Sequence, residues 1–173
     1  MKDQEQFNPV GKWLKQYEKA DQTSRYGDED SYLMGCALLQ GLASVEDWGC
    51  GLGYARKYFN EGCYKGVDGS LSKFCDEVDD LTTRQSQPDG IFLRHVLEHN
   101  LEWEKLLRNA VACAQKRLVV VGFTRLARET TYAWDVDGYP CIEFKAEDIE
   151  KCFDGLLWTR AATWKDTVWL IKK

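Results

Sequence analysis

The residues best suited to chemistry fall in two short runs. In the first, Asp47-Trp48-Gly49-Cys50-Gly51-Leu52-Gly53, an acid closes an apolar segment and glycines recur at every second position before a helical pattern begins. Glycine is needed where a chain turns sharply off a strand and a ligand must approach the backbone itself. A second acid, Asp68, ends the next apolar segment about 20 residues on, the spacing at which dinucleotide folds place the carboxylate that holds ribose hydroxyls. A third, Asp80, ends the segment after that. Singly, each has an ordinary explanation. Asp47 can serve the dipole of a following helix, Asp68 can cap a turn through Ser70, and Asp80 can be a turn acid. Three acids at three successive strand ends point instead to a polar ligand lying along one edge of a sheet.

The second run, Arg94-His95-Val96-Leu97-Glu98-His99, carries both histidines of the chain. Imidazole titrates near neutrality, which suits proton transfer, and a histidine such as His95 at a strand end can equally cap the following helix. His99 sits one turn deeper and reads as structural. Read as H-x-x-E-H, the same residues match one group of zinc metallopeptidases, whose histidines share a metal from one helix face. Such a site needs a further ligand from a second long helix, and the chain after His99 is largely strand-like, so zinc is a remote alternative.

These runs must be held by alternating elements. Helical patterns surround Trp13, Leu14 and Tyr17, and follow Asp28-Glu29-Asp30-Ser31 up to Gly41. Strands are expected over Ala43–Trp48, Cys63–Val67, Cys75–Val78, Gly90–Leu93 and Arg117–Phe123, with helices over Gly53–Asn60 and Leu101–Gln115. Alternation of this kind predicts a parallel α/β sheet. The tail reads as a helix over Ala146–Phe153, then strands Leu156–Thr163 and Thr167–Ile171 joined closely enough to be a hairpin, which makes the last strand antiparallel. The crossover after Asp68 has room for about one helical turn, around Gly69–Lys73.

A length of 173 residues with 44% apolar and 13% aromatic composition suits one packed domain. The net charge of −5 is a poor match to nucleic acid or an anionic membrane. No apolar run approaches a membrane span, and Met1-Lys2-Asp3-Gln4-Glu5 lacks a signal-peptide pattern, so a cytoplasmic protein is expected. The seven cysteines form no C-x-x-C pair, consistent with free thiols in a reducing compartment and with no metal.

On the glycine run, the strand-end acids and the histidine run, the chain resembles the class I S-adenosylmethionine-dependent methyltransferases, in particular small-molecule enzymes of the methyltransferase type 11/12 kind. Their first motif is matched by Asp47 to Gly53, their second-strand acid by Asp68 in Gly66-Val67-Asp68-Gly69-Ser70, their adenine-framing acid-apolar pair by Asp80-Leu81, and their fourth strand by Asp89 to His99. The resemblance spans roughly residues 42–173. It implies a Rossmann-like class I methyltransferase fold, a seven-stranded mostly parallel sheet with an antiparallel last strand, with S-adenosylmethionine as cofactor and S-adenosylhomocysteine as product. It implies cofactor contacts from Asp47, Gly49, Cys50, Gly51, Asp68, Gly69, Asp80, Leu81 and Arg94, with Tyr26 from an N-terminal lid over residues 1–42, and His95 as the base. The core then occupies 43–173. Within it, the insertion over 124–145 is the expected acceptor loop, offering Arg125, Arg128, Trp134 and Tyr139 to a small-molecule or carbohydrate-like acceptor. The Asn/Asp-Pro-Pro-aromatic signature of amino-methylating DNA enzymes is absent. Tyr139-Pro140-Cys141 is similar to the nucleophile motif of cytosine-C5 enzymes but follows the wrong strand. A protein or nucleic-acid methyltransferase working with a partner, and a non-catalytic S-adenosylmethionine-binding module, are the remaining alternatives.

Overall fold

The computed structural model describes residues 13–15, 17–18, 27–123, 125–135 and 138–173. Period-two alternation in the central strands builds a sheet covered on both faces. In β4 (Gly90–Arg94), Ile91 and Leu93 enter one core and Phe92 the other; in β5 (Arg117–Gly122), Leu118 and Val120 separate from Val119 and Val121 in the same way. Strands buried on both sides are the parallel-sheet signature. β1 (Val45–Trp48) pairs parallel with β2 (Tyr64–Asp68) and β4, β2 with the two-residue β3 (Glu77–Val78), and β4 with β5. After the hairpin strands β6 (Thr131–Trp134) and β7 (Pro140–Glu143) come β8 (Leu157–Ala162) and β9 (Thr167–Lys172). The main sheet has seven strands in the order β3-β2-β1-β4-β5-β9-β8, and β9 runs antiparallel to both neighbours.

One face is covered by α1 (Glu29–Ala37), whose first turn is capped by the Asp28 carboxylate accepting from Asp30 N at 3.3 Å. Gly35 brings α1 down onto β4; a Cβ there would lie 2.5 Å from the Phe92 ring. The other face carries α2 (Trp103–Cys113), with Leu106, Leu107 and Ala110 buried, and the short α3 (Ala146–Glu150).

Three expectations need correction. The helix foreseen over Gly53–Asn60 is a 3-10 segment, Tyr54–Tyr58. Gly53 starts it with a left-handed φ of 65° and Phe59 is already extended, so i→i+3 bonds such as Arg56 N to Gly53 O (3.1 Å) close it where an α-helix has no room. The crossover after Asp68 holds a single hydrogen-bonded turn, later than foreseen, with Cys75 N donating to Ser72 O at 3.2 Å, and the strand foreseen from Cys75 shrinks to Glu77–Val78. Lastly, the insertion after β5 is not an open loop: β6 and β7 pair from Thr131↔Glu143 to Trp134↔Pro140, with Asp135 Oδ1 accepting from Tyr139 N at 2.8 Å across the turn.

Candidate active site

At the carboxyl ends of β1 and β4, where the strand order reverses direction, the chain opens a cavity of about 690 Å³. Such a switch point is where open α/β sheets bind ligands. Gly49, Cys50 and Gly51 form one wall, Arg94 and His95 the floor, and Arg125, Trp164 and Lys165 the rim, with Trp13, Tyr32, His99 and Phe123 between them.

The glycine wall is set by backbone conformation. Gly49, Gly51 and Gly53 all have left-handed φ, at 77°, 53° and 65°. Gly49 allows no side chain on a second count, since a Cβ would fall 2.3 Å from Val96 Cγ2. Behind the loop, Asp68 ties it to β2. Its Oδ2 accepts from Gly51 N at 2.9 Å and from the Tyr17 hydroxyl at 3.3 Å, while Oδ1 accepts from Ser70 N at 2.8 Å. Burial raises the Asp68 carboxyl above its ordinary value against these bonds. Asp47 is buried below the loop and accepts from the Tyr64 hydroxyl at 2.6 Å; burial pushes its carboxyl up to about 7.

The floor contains a constellation that sequence reading only half saw. His95 is the only non-glycine among the described residues with positive φ, at 57°. Its Nε2 lies 3.0 Å from Asp166 Oδ2, and its amide donates to Val121 O at 2.9 Å. Asp166 comes from the β8–β9 turn and is 3% exposed. Because β9 is antiparallel and lies beside β5, that turn returns to the carboxyl edge of the sheet, level with the end of β4. Arg94 reaches the same carboxylate at 3.6 Å, donates to Ser31 Oγ at 3.0 Å, and stacks its guanidinium 3.8 Å from the Tyr32 ring centre. Burial holds the His95 pKa below its ordinary value, with Arg94 adding to the effect against the pull of Asp166. Burial would raise Asp166, but bonds from His95 and Ser31 and the charge of Arg94 win, and its carboxyl is lowered. The state at neutral pH is a neutral imidazole on an ionised carboxylate. Nε2–H therefore donates to Asp166 and Nδ1 is left as an acceptor; among the described residues no hydrogen bond reaches it. His99 is turned the other way, its Nδ1 held 2.8 Å from Pro140 O of β7.

The H-x-x-E-H run thus lies on a strand end and a 3-10 turn (Leu97–His99), with each imidazole spending one nitrogen on a different partner. Among the described residues no group of His, Cys, Asp or Glu is arranged to hold a metal ion.

The cavity brings together Gly49, Cys50, Gly51, Arg94, His95 and Arg125. Asp47 and Asp68 lie buried beneath its wall. Gly69 and the Asp80-Leu81 pair lie farther along the sheet edge, where Asp80 Oδ1 accepts from Thr82 N at 2.9 Å and Leu81 is buried. Tyr139 is buried and reaches the cavity through Trp13, whose ring centre is 4.8 Å away. Arg128 and Trp134 do not line the cavity, and Trp134 is exposed on β6. Tyr26 lies outside the described residues. Asp166 was the residue missed: a sequence shows only an acid in a tight turn, and its role depends on strand order.

No protein-family model matches the chain, and no curated protein matches it. Solved structures do. The 1,6-didemethyltoxoflavin-N1-methyltransferase of Burkholderia thailandensis, with 1,6-didemethyltoxoflavin and S-adenosylhomocysteine bound, superposes with a TM-score of 0.66 at 17% identity, covering 83% of this chain and 76% of that one. The DhpI-SAM-HEP complex gives 0.68 at 14% identity, with 95% of each chain covered. Magnesium protoporphyrin IX methyltransferase (ChlM) from Synechocystis PCC 6803, with S-adenosylhomocysteine bound, gives 0.60 at 17% identity, covering 97% of this chain and 89% of that one. The chain has the Rossmann-like fold of class I methyltransferases.

Proposed function

We propose that this chain, built on the class I methyltransferase fold, is an enzyme that transfers a methyl group from S-adenosylmethionine to a small-molecule or carbohydrate-like acceptor. The observation that carries the reading is the joint placement of a left-handed glycine loop, tied by Gly51 N to the Asp68 carboxylate, and a histidine-floored cavity at the switch point. The structural neighbours crystallised with S-adenosylmethionine or S-adenosylhomocysteine support it.

The donor set fits the cofactor. Gly49, Cys50 and Gly51 present backbone to the amino-acid end, which bears no pyrophosphate and so needs no phosphate-binding fingerprint. Asp68 would hold the ribose hydroxyls in place of its long bond from Tyr17, and Gly69 with the Asp80-Leu81 pair would frame the adenine. Asp47 supports the loop from below through Tyr64. Arg94 is committed to Ser31, Tyr32 and Asp166, so its part is to hold α1 against β4 and supply charge. The bound cofactor supplies an electrophilic methyl on a positively charged sulfur. Around it, Trp13, Phe123 and Trp164 would wall the acceptor, and positioning of this kind accounts for much of the barrier reduction in such transfers. Arg125 at the rim can hold an acidic group of the acceptor. Arg128, Trp134 and Tyr139 extend the same acceptor side along the β6–β7 hairpin. With no net positive charge on the chain, a small acceptor suits the site better than nucleic acid. Incubation with S-adenosylmethionine and a panel of small hydroxy and amino acceptors, read as S-adenosylhomocysteine release, tests this. Turnover of at least one acceptor is expected; cofactor binding without any turnover would leave the binding-module reading in its place.

A further inference from the structure

We infer that Asp166 positions His95 as a proton acceptor, and that the reaction is therefore O-methylation of a ring-borne hydroxyl; the second half rests on the methyltransferase reading above. A histidine in the left-handed region is strained by about 1–3 kcal/mol and persists only where its surroundings over-determine it. Here the amide is fixed by Val121 O, the ring edge is covered by Gly27, where a Cβ would lie 3.0 Å from His95 Cε1, and the far nitrogen is fixed by a buried carboxylate. Burying a charged carboxylate is itself unfavourable unless it is bonded. Two unfavourable features combine to hold one ring of the cavity lining in one orientation, with Nδ1 on the edge beside Gly27 and bonded to no described residue.

The surroundings suit that role. The charged and titratable groups around the ring are Arg94 from β4, Tyr32 from α1, His99 from the 3-10 turn, Arg125 after β5, and Lys165 with Asp166 from the β8–β9 turn. Burial, helped by the charge of Arg94, keeps the imidazole neutral and able to accept against the pull of Asp166. Trp13, Phe123 and Trp164 give the cavity flat apolar walls that match a ring. A carboxylate or thioether acceptor has no proton to lose, and a neutral amine attacks through its lone pair before it loses one, so none of these gives such a pair much to do; a hydroxyl is a weak nucleophile until its proton is taken. In the step, His95 Nδ1 takes the hydroxyl proton as the oxygen's electron pair forms the O–CH3 bond. The S–CH3 bond breaks with its pair staying on sulfur, giving the neutral thioether of S-adenosylhomocysteine and an imidazolium that Asp166 stabilises until it releases the proton to water.

Because the chain has two histidines, nitrogen NMR of the uniformly 15N-labelled full chain reads the arrangement directly, with His95→Gln assigning the signals. The expected result is His95 as the Nε2–H tautomer and His99 as the Nδ1–H tautomer. In Asp166→Asn, His95 should lose its single tautomer and titrate lower still. With hydroxybenzoates and catechols as acceptors, Asp166→Asn should lower kcat by ~10-fold or more, as expected for loss of an oriented base, with KM little changed and an altered pH profile. His95 in the Nδ1–H form, or an Asp166→Asn chain with unchanged tautomer and pH profile, overturns the pair. Turnover confined to acceptors without a hydroxyl, or none with the hydroxyl panel while S-adenosylhomocysteine binds, overturns the O-methylation. Failure of the parent chain to bind S-adenosylhomocysteine instead overturns the methyltransferase reading, and leaves the tautomer result to stand alone.

Discussion

Two buried aspartates one strand apart carry opposite expectations. Asp68 holds the glycine loop through Gly51 N and Ser70 N, and on the function proposed above it is the acid that takes the ribose diol. Hydrogen bonds to a charged group are worth roughly 1.5–3 kcal/mol each. Allowing for replacement by water, Asp68→Ala should weaken S-adenosylhomocysteine binding by at least ~10-fold, about 1.4 kcal/mol, with Asp68→Asn intermediate. Calorimetric titration of folded variants measures this, and an unweakened Asp68→Ala would return the residue to a plain turn cap. Asp47 works the other way. Its carboxyl, pushed up by burial to about 7, binds more protons folded than unfolded between pH ~4 and ~7, so stability falls as pH rises through that window. Asp47→Asn removes that penalty while keeping an acceptor for Tyr64. At pH 8 it should gain at least about 1 kcal/mol, a Tm rise of about 2–4 °C, and at pH 4 it should match the parent. Thermal melts at both pH values decide it. The acids and His95 were legible at this scale because a strand-end acid and a glycine at every second position leave a local mark. Asp166 left none, since its partners Arg94 and His95 are more than 70 residues away in the chain.

At the scale of elements, the central strands were legible, while the short pieces between β1 and β3 and the β6–β7 hairpin were not. Alternation such as Ile91/Phe92/Leu93 is imposed by a two-faced core and survives any detail of the turns. Tyr54–Tyr58 and the β2–β3 crossover depend on how few residues remain between fixed ends, which pattern alone does not report. The β6–β7 hairpin did have a signal, Thr130-Thr131-Tyr132-Ala133-Trp134 followed by Asp137-Gly138, a β-rich run and a turn dipeptide. Where the crossover is so thin, the edge is held by charge. Arg84 is buried and bonds Glu46 of β1 through Nε and Nη2, both at 2.9 Å, and reaches Glu77 at 2.9 Å and Asp79 at 2.8 Å. Arg84→Met should strand the Glu46 charge and cost roughly 3–5 kcal/mol. Arg84's bonds keep the Glu46 carboxyl low despite burial, so without them Glu46 takes up a proton more easily and the deficit should shrink towards pH 4–5. The double variant Glu46→Gln/Arg84→Met should recover much of the loss. Urea unfolding of the three chains at pH 7 and 4.5 tests the set, and an Arg84→Met chain as stable as the parent would refute it.

For the molecule as a whole, strand order does what no single segment can. The order β3-β2-β1-β4-β5-β9-β8 puts the glycine loop, the end of β4 and the β8–β9 turn on one edge, and so brings Gly49, His95 and Asp166 around one cavity. No described helix is long and apolar enough to cross a membrane. On the function proposed above, this edge binds S-adenosylmethionine. Isothermal titration of the full chain with S-adenosylhomocysteine tests it most directly. Saturable binding at one site per chain is expected, weakened at least ~10-fold by Asp68→Ala. Absence of heat and of saturation at millimolar ligand, with a chain shown to be folded, would contradict it.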